Sequence, residues 1–181
     1  MRLLLHVCCG PCSIYPVKSL REQGHALTAW FYNPNIHPYT EYGKRRDTFL
    51  EYAQKVALPA IIEEGYHLED FLRKVHGREE EGERCRVCYE LRLESAAQAA
   101  RSGGFDAFTT TLLVSPRQKH DLIREAGERA AQAAGIPFYY EDFRPGYAQA
   151  VRISKEESMY RQQYCGCIYS ERDRYMPRKK D

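Results

Sequence analysis

A chain of 181 residues, 43% of them apolar and 29% charged, is long enough to bury the core of one ordinary globular domain. No apolar run approaches the ~20 residues that span a bilayer. The short apolar stretch at the start is broken by His6 and followed by no A-x-A-like cleavage site, which argues against a secretory signal. A net charge of +2 is too small to mark a nucleic-acid binder through bulk attraction. The expected place of work is the cytoplasm, where thiols stay reduced. There the seven cysteines, an odd number, point to metal or redox chemistry rather than to structural disulfides.

The predicted elements alternate along the chain. Residues 3–7 read as a buried strand and residues 14–23 as a helix closed by Gly24. ALTAWFY (26–32) is a second strand, stopped by the turn-forming Asn33-Pro34-Asn35. Helical spacing follows over 39–56, then a short strand over 59–63 and a helix over 68–75. EEEGERCRVCYELRLESAAQAARSGG reads as a long helix ended by Gly103-Gly104. AFTTTLLV (107–114) is a β-branched strand, 120–134 is a helix closed by Gly135, and 136–140 is a last strand. This pattern predicts one α/β domain over 1–181, with a mostly parallel sheet flanked by helices. From Asp142 the alternation lapses, and a helical or irregular cover is expected.

In doubly wound sheets, ligands sit beyond the carboxyl ends of strands, often at the first strand-to-helix turn. Cys8, Cys9, Gly10, Pro11 and Cys12 occupy that turn. Nucleotide-binding chains carry a glycine-rich phosphate loop there. No GxGxxG, GxxxxGK[ST] or SGGxDS-like stretch is present, and thiols stand in its place.

The other cysteines form two pairs, Cys85-x-x-Cys88 at the start of the long helix and Cys165-Gly166-Cys167 in YRQQYCGCIYS. Each cluster is more than 70 residues from the next. At a helix start, C-x-x-C can turn two sulfurs to one centre, and the helix dipole favours thiolates there. Alone it reads equally as a redox pair or as half a zinc site. With Cys8 and Cys9 it makes four thiolates, the requirement of a tetrahedral zinc or a [4Fe–4S] cluster alike. Neighbouring side chains on a strand point opposite ways, so the chain must bend at Gly10-Pro11 for both to serve one site. Cys165 and Cys167 fit a small, strained, labile disulfide eased by Gly166, or two further metal ligands; spacing leaves both open.

Together HVCCGPCS, FYNPNIHPYTEY, RCRVCYELRL, TTTLLVSPRQKHD, EDFRPGY and YRQQYCGCIYSERDR resemble, in order and over nearly the whole chain, the QueH family of epoxyqueuosine reductases. The resemblance implies a core similar to the adenine-nucleotide α-hydrolase-like, Rossmann-like folds. It implies the last step of queuosine biosynthesis, reduction of epoxyqueuosine at the wobble position of tRNA. A [4Fe–4S] cluster and an additional iron are the implied cofactors, with a low-potential electron donor as partner. Carried onto this chain, the cluster ligands are Cys8, Cys9, Cys85 and Cys88, and the redox-active catalytic pair is Cys165 and Cys167. Cys12, with a carboxylate such as Asp142, is left for the second metal.

Such a reaction consumes two electrons and two protons, and among side chains only the thiol stores electrons. A metal with an open position would polarise the departing oxygen. The candidate proton donors are His6, His37, Tyr164, Tyr169 and Asp142. For tRNA, the basic knot Lys44-Arg45-Arg46 and the tail ERDRYMPRKKD, with five of the 27 Lys and Arg residues, suit phosphates. Tyr42, Tyr160 and Tyr175 lie beside basic residues, where unpaired bases could stack. Two rival readings are a structural zinc site on the same four cysteines in a nucleic-acid-binding module, and a tRNA sulfur-transfer enzyme. The second would need the phosphate loop that is missing.

Overall fold

The apolar run near the start becomes the middle of the molecule. In the computed structural model, which describes residues 1–177, β1 (Arg2–His6) lies at the heart of a four-stranded parallel sheet. Its neighbours are β2 (Ala26–Phe31), β3 (Ala60–Ile62) and β4 (Ala107–Thr110), in the order β3-β2-β1-β4. Leu3 pairs with Leu27 on one side and Ala107 on the other, and His6 with Trp30 and Thr110. Leu3, Leu4, Leu5, Phe31 and Phe108 are buried on this sheet. Each such side chain contributes about 1.5–3 kcal/mol through the apolar surface it removes from water.

Strand order fixes where the helices go. The chain runs outward from β1 through β2 to β3, then returns across the sheet to β4. Right-handed crossovers in opposite directions put helices on both faces. α1 (Gly10–Glu22), α2 (Tyr39–Lys55) and α6 (Tyr147–Glu156) make one layer, in which α1 packs on the other two. α4 (Glu83–Ser102) packs on α5 (His120–Ala134) in the other, with α3 (Leu68–Val75) against α4. The order reverses between β1 and β4, which is where a crevice for ligands opens in this architecture.

Two predicted strands are shorter than expected. β4 stops at Thr110 because its hydroxyl accepts the Leu112 N–H at 3.1 Å, and Thr111–Val114 wind into a 3-10 turn. Residues 136–140 make a single bridge, Phe108 to Phe138, since Pro137 has no N–H to continue a ladder. The expected cover exists as α6, an irregular segment over 157–167, and α7 (Ile168–Tyr175). Among the described residues, no helix is long and apolar enough to cross a membrane. Arg178, Lys179 and Lys180 of the basic tail lie outside the described residues.

Candidate metal and redox centre

β1 delivers Cys8 and Cys9 to the switch point, and α1 begins immediately after them with Pro11 in its first turn, where a missing N–H costs nothing. The Cys8, Cys9 and Cys12 sulfurs all lie within 4.8 Å of one another, with Cys8 and Cys9 at 3.8 Å. Gly10 permits the turn: a Cβ there would meet the Thr48 carbonyl at 3.0 Å. Thr111, the first residue after β4, ties the two sides of the crevice. Its hydroxyl accepts from the Cys8 N–H at 3.1 Å and donates to the Cys8 sulfur at 3.4 Å. The Gln162 amide donates to the Cys9 sulfur at 3.2 Å.

The three thiols share their protons unequally. Hydrogen bonds from Cys12 and Cys9, helped by the Arg92 charge, hold Cys8 well below the usual thiol range. Cys12 is pushed up by donating to Cys8 and Cys9 and by burial. One thiolate backed by two thiols is poised to release further protons to a cation.

Cys85 and Cys88 occupy the first two turns of α4. Burial raises Cys85 and pushes Cys88 up to about 12. The thiolate expected from the helix dipole is therefore overridden by loss of solvent. Arg92, one turn beyond Cys88 and buried, points a guanidinium nitrogen at the Cys88 sulfur at 3.8 Å. Its other nitrogen donates to Asn33 Oδ1 at 2.6 Å, and Asn33 Nδ2 donates to the Val7 carbonyl at 2.8 Å. A single arginine so connects the C-x-x-C helix to the strand that carries Cys8.

The Cys165-Gly166-Cys167 loop is held from below. Arg45, 2% exposed and paired with Glu41 at 2.7 Å, donates to the Cys165 carbonyl at 2.9 Å and the Tyr164 carbonyl at 3.0 Å. His37 receives the loop on both sides: its N–H donates to the Gly166 carbonyl at 2.8 Å, and its Nδ1 accepts from the Ile168 N–H at 3.3 Å. Gly166 has φ 141°, which L side chains rarely adopt, and a Cβ there would lie 3.1 Å from Asn35 Nδ2. Both loop cysteines are free thiols; Cys165 is exposed, while Cys167 is buried and caps α7.

A cavity of about 460 Å³ joins these parts. Cys8, Cys12, Cys85, Cys165 and Cys167 all line it, while Cys9 and Cys88 stand just behind, bonded to Gln162 and Arg92. The lining is rich in cations, and Arg84 and Arg92 each keep a buried Nε without a partner. A set of soft cysteine sulfurs backed by buried, under-used guanidinium groups fits an anionic iron–sulfur centre, whose ligands become thiolates on binding and whose charge needs compensation.

Several expected residues are placed or engaged otherwise than the sequence suggested. Asp142 turns its carboxylate onto Arg144, at 2.8 and 2.6 Å, so the fold does not bring it to Cys12, which sits with Cys8 and Cys9 instead. Arg45 does not present a surface charge to a phosphate, because it is buried under the Cys165–Cys167 loop. Arg46 is engaged by Asp47 at 2.8 Å, and Lys44 lies over the Tyr160 ring. His6 is fully buried between Thr110 and the Tyr32 carbonyl, and burial lowers it to about 3. Tyr164 lines the cavity but donates its hydroxyl to the His37 carbonyl. Tyr169 is stacked between Arg84 and Arg172. Sequence reading missed Thr111, Gln162, Asn35 and Arg92. Only Arg92 carried a signal, four residues from Cys88 on one helix face.

A cysteine cluster able to hold a metal ion thus sits at the switch point of a parallel α/β sheet, with the Cys165–Cys167 loop lining the same cavity. The family model described as "Epoxyqueuosine reductase QueH" matches residues 3–173. The chain belongs to this epoxyqueuosine reductase family. Among its relatives, the epoxyqueuosine reductase QueH of Dehalococcoides mccartyi is 37% identical over 174 residues, covering 96% of this chain and 94% of the relative. That of Thermotoga maritima is 37% identical over 177 residues, covering 93% and 89%. That of Histophilus somni is 38% identical over 178 residues, covering 95% and 73%. A Methanocaldococcus jannaschii crystal structure, described as a predicted subunit of tRNA methyltransferase, shares the fold at TM-score 0.57 and 13% identity. The match covers 85% of this chain and 75% of that one.

Proposed function

We propose that this protein reduces epoxyqueuosine to queuosine at the wobble position of tRNA, the last step of queuosine biosynthesis. On this reading residues 1–181 act in the cytoplasm as one iron–sulfur oxidoreductase domain. The convergence of three distant cysteine segments on one cationic cavity carries the proposal. Cys8, Cys9, Cys85 and Cys88 would hold a [4Fe–4S] cluster, and Cys12 is the thiol left for an adjacent metal, perfected by no carboxylate from Asp142. When bound, such a centre supplies single electrons at low potential.

The chain's own residues account for the rest of the balance. Both C–O bonds of the epoxide break, a C=C bond forms, and the oxygen leaves as water, at a cost of two electrons and two protons. Two thiols closing to one disulfide release two electrons and two protons, so Cys165 and Cys167 match the stoichiometry as a pair. Exposed Cys165 meets the substrate or the external donor, and buried Cys167 resolves it. An external low-potential donor then returns the disulfide to the dithiol. Arg45 and His37 fix the loop so that both sulfurs stay at the cavity.

The test is anaerobic purification, an iron and sulfide count, and incubation with tRNA containing epoxyqueuosine and a low-potential reductant. Loss of one oxygen mass from the nucleoside is expected. An unchanged nucleoside mass with iron-loaded protein would reject the assignment.

A further inference from the structure

Among the described residues, six cationic side chains line the cavity, and the protein itself engages four of them. Arg45 pairs with Glu41 at 2.7 Å, Arg84 with Asp173 at 2.6 Å, and Lys119 with Glu81 at 2.9 Å. Arg92 is bonded to Asn33 and faces the Cys88 sulfur. Arg117 and Arg174 are different. Both are exposed, and among the described residues neither side chain has a hydrogen-bond or ion-pair partner. Among the described residues, the acids of the lining are Glu81 and Asp173, and both are already taken. Two unpaired guanidinium groups therefore stand at one cavity on separate elements, Arg117 in the link before α5 and Arg174 in α7.

The cavity's size limits what enters. At about 460 Å³ it has the volume of a single small-ligand site, where ~300–1,000 Å³ is usual. It admits one nucleoside and not an RNA loop. Asn35, 1% exposed, lines it with neither amide atom partnered, a buried donor and acceptor left for a polar guest.

We infer that Arg117 and Arg174 form a phosphate clamp. They bind the RNA phosphates on the two sides of the wobble nucleotide, which leaves the anticodon stack and enters the cavity alone. Guanidinium groups suit this work, since their planar fork matches phosphate oxygens in pairs. Proteins that read loop nucleotides also depend on bases already free to unstack. The inference rests on the epoxyqueuosine reading of the cavity.

The experiment measures binding of tRNA containing epoxyqueuosine to the iron-loaded protein across a series of salt concentrations. Single-stranded contacts contribute about 0.7 to the slope of log affinity against log salt for each phosphate neutralised. Arg117→Ala and Arg174→Ala should each lower the slope by about 0.7, and the double variant by about twice that. Arg117→Lys and Arg174→Lys should restore most of it, because charge is kept. Arg101→Ala, on an exposed arginine at the far end of α4, should change nothing. An unchanged slope in the double variant, with wild-type protein binding and reducing the same tRNA, overturns the clamp. Wild-type protein that neither binds nor reduces the tRNA overturns the functional reading itself, and the clamp with it.

Discussion

Arg45 Nη1 donates a hydrogen bond to the carbonyl oxygen of Cys165 at 2.9 Å, so a buried guanidinium on α2 holds the backbone of a cysteine 120 residues further along the chain. Glu41 and Arg45 are both nearly free of solvent. Truncating one member of such a pair leaves the other charge buried, at a cost of about 3–5 kcal/mol. Arg45→Ala should lower unfolding free energy by that amount in denaturant titration and abolish turnover. Arg46→Ala, on a half-buried side chain paired with its solvent-exposed neighbour Asp47, should fall within about 0.5 kcal/mol of wild type. Equal, small effects for the two would remove Arg45 from its anchoring role.

A second prediction concerns acid. Burial lowers His37 from 6.5 to about 4, against the mild opposite pull of its hydrogen bond to the Pro34 carbonyl. Its Nε2–H donates to Pro34 while Nδ1 accepts from Ile168, so protonating Nδ1 breaks the loop contact. The folded state resists the proton that the unfolded chain accepts. Stability from this group is therefore complete above pH 6.5 and is lost as pH falls toward 4, a total of about 3 kcal/mol. His37→Asn, whose amide oxygen can accept without titrating, should flatten that part of the profile between pH 7 and 4. A profile identical to wild type would assign the acid sensitivity elsewhere.

Thiol reactivity should follow exposure. In reduced, metal-free protein, iodoacetamide is expected to label Cys165 well before Cys9 or Cys88, which are buried, Cys88 with its thiol pushed up to about 12. Peptide mass spectrometry at short times reads the order directly. Early labelling of Cys88 would show that α4 opens more readily than its packing implies.

If the protein holds the proposed iron–sulfur cluster, Cys85→Ser should remove its visible absorption after reconstitution and abolish turnover, while leaving the sheet intact by circular dichroism. Full activity in that variant would reject Cys85 as a ligand.

Much of the fold was legible because alternation of apolar strands with amphipathic helices is a local signal, and β1 through α5 follow it in the predicted order, with ends that differ by up to four residues. The failures are equally local in cause: a threonine hydroxyl that caps its own strand, and a proline without an N–H in the next. The cysteines announced themselves by chemistry. Arg45 did not, since a Lys-Arg-Arg run looks like solvated surface until tertiary packing buries its middle member. Asn35 was hidden for a similar reason, as a residue in a turn-forming Asn-Pro-Asn stretch that the cavity then claims.

The three thiol segments come from the beginning, the middle and the end of the chain. During translation Cys8, Cys9 and Cys12 leave the ribosome long before Cys85, and Cys165 comes later still. Closing loops of this length is entropically costly until the sheet between them has formed. A nascent chain therefore carries an open nest of thiols, unprotected against oxidants and foreign cations, until its last helix has docked.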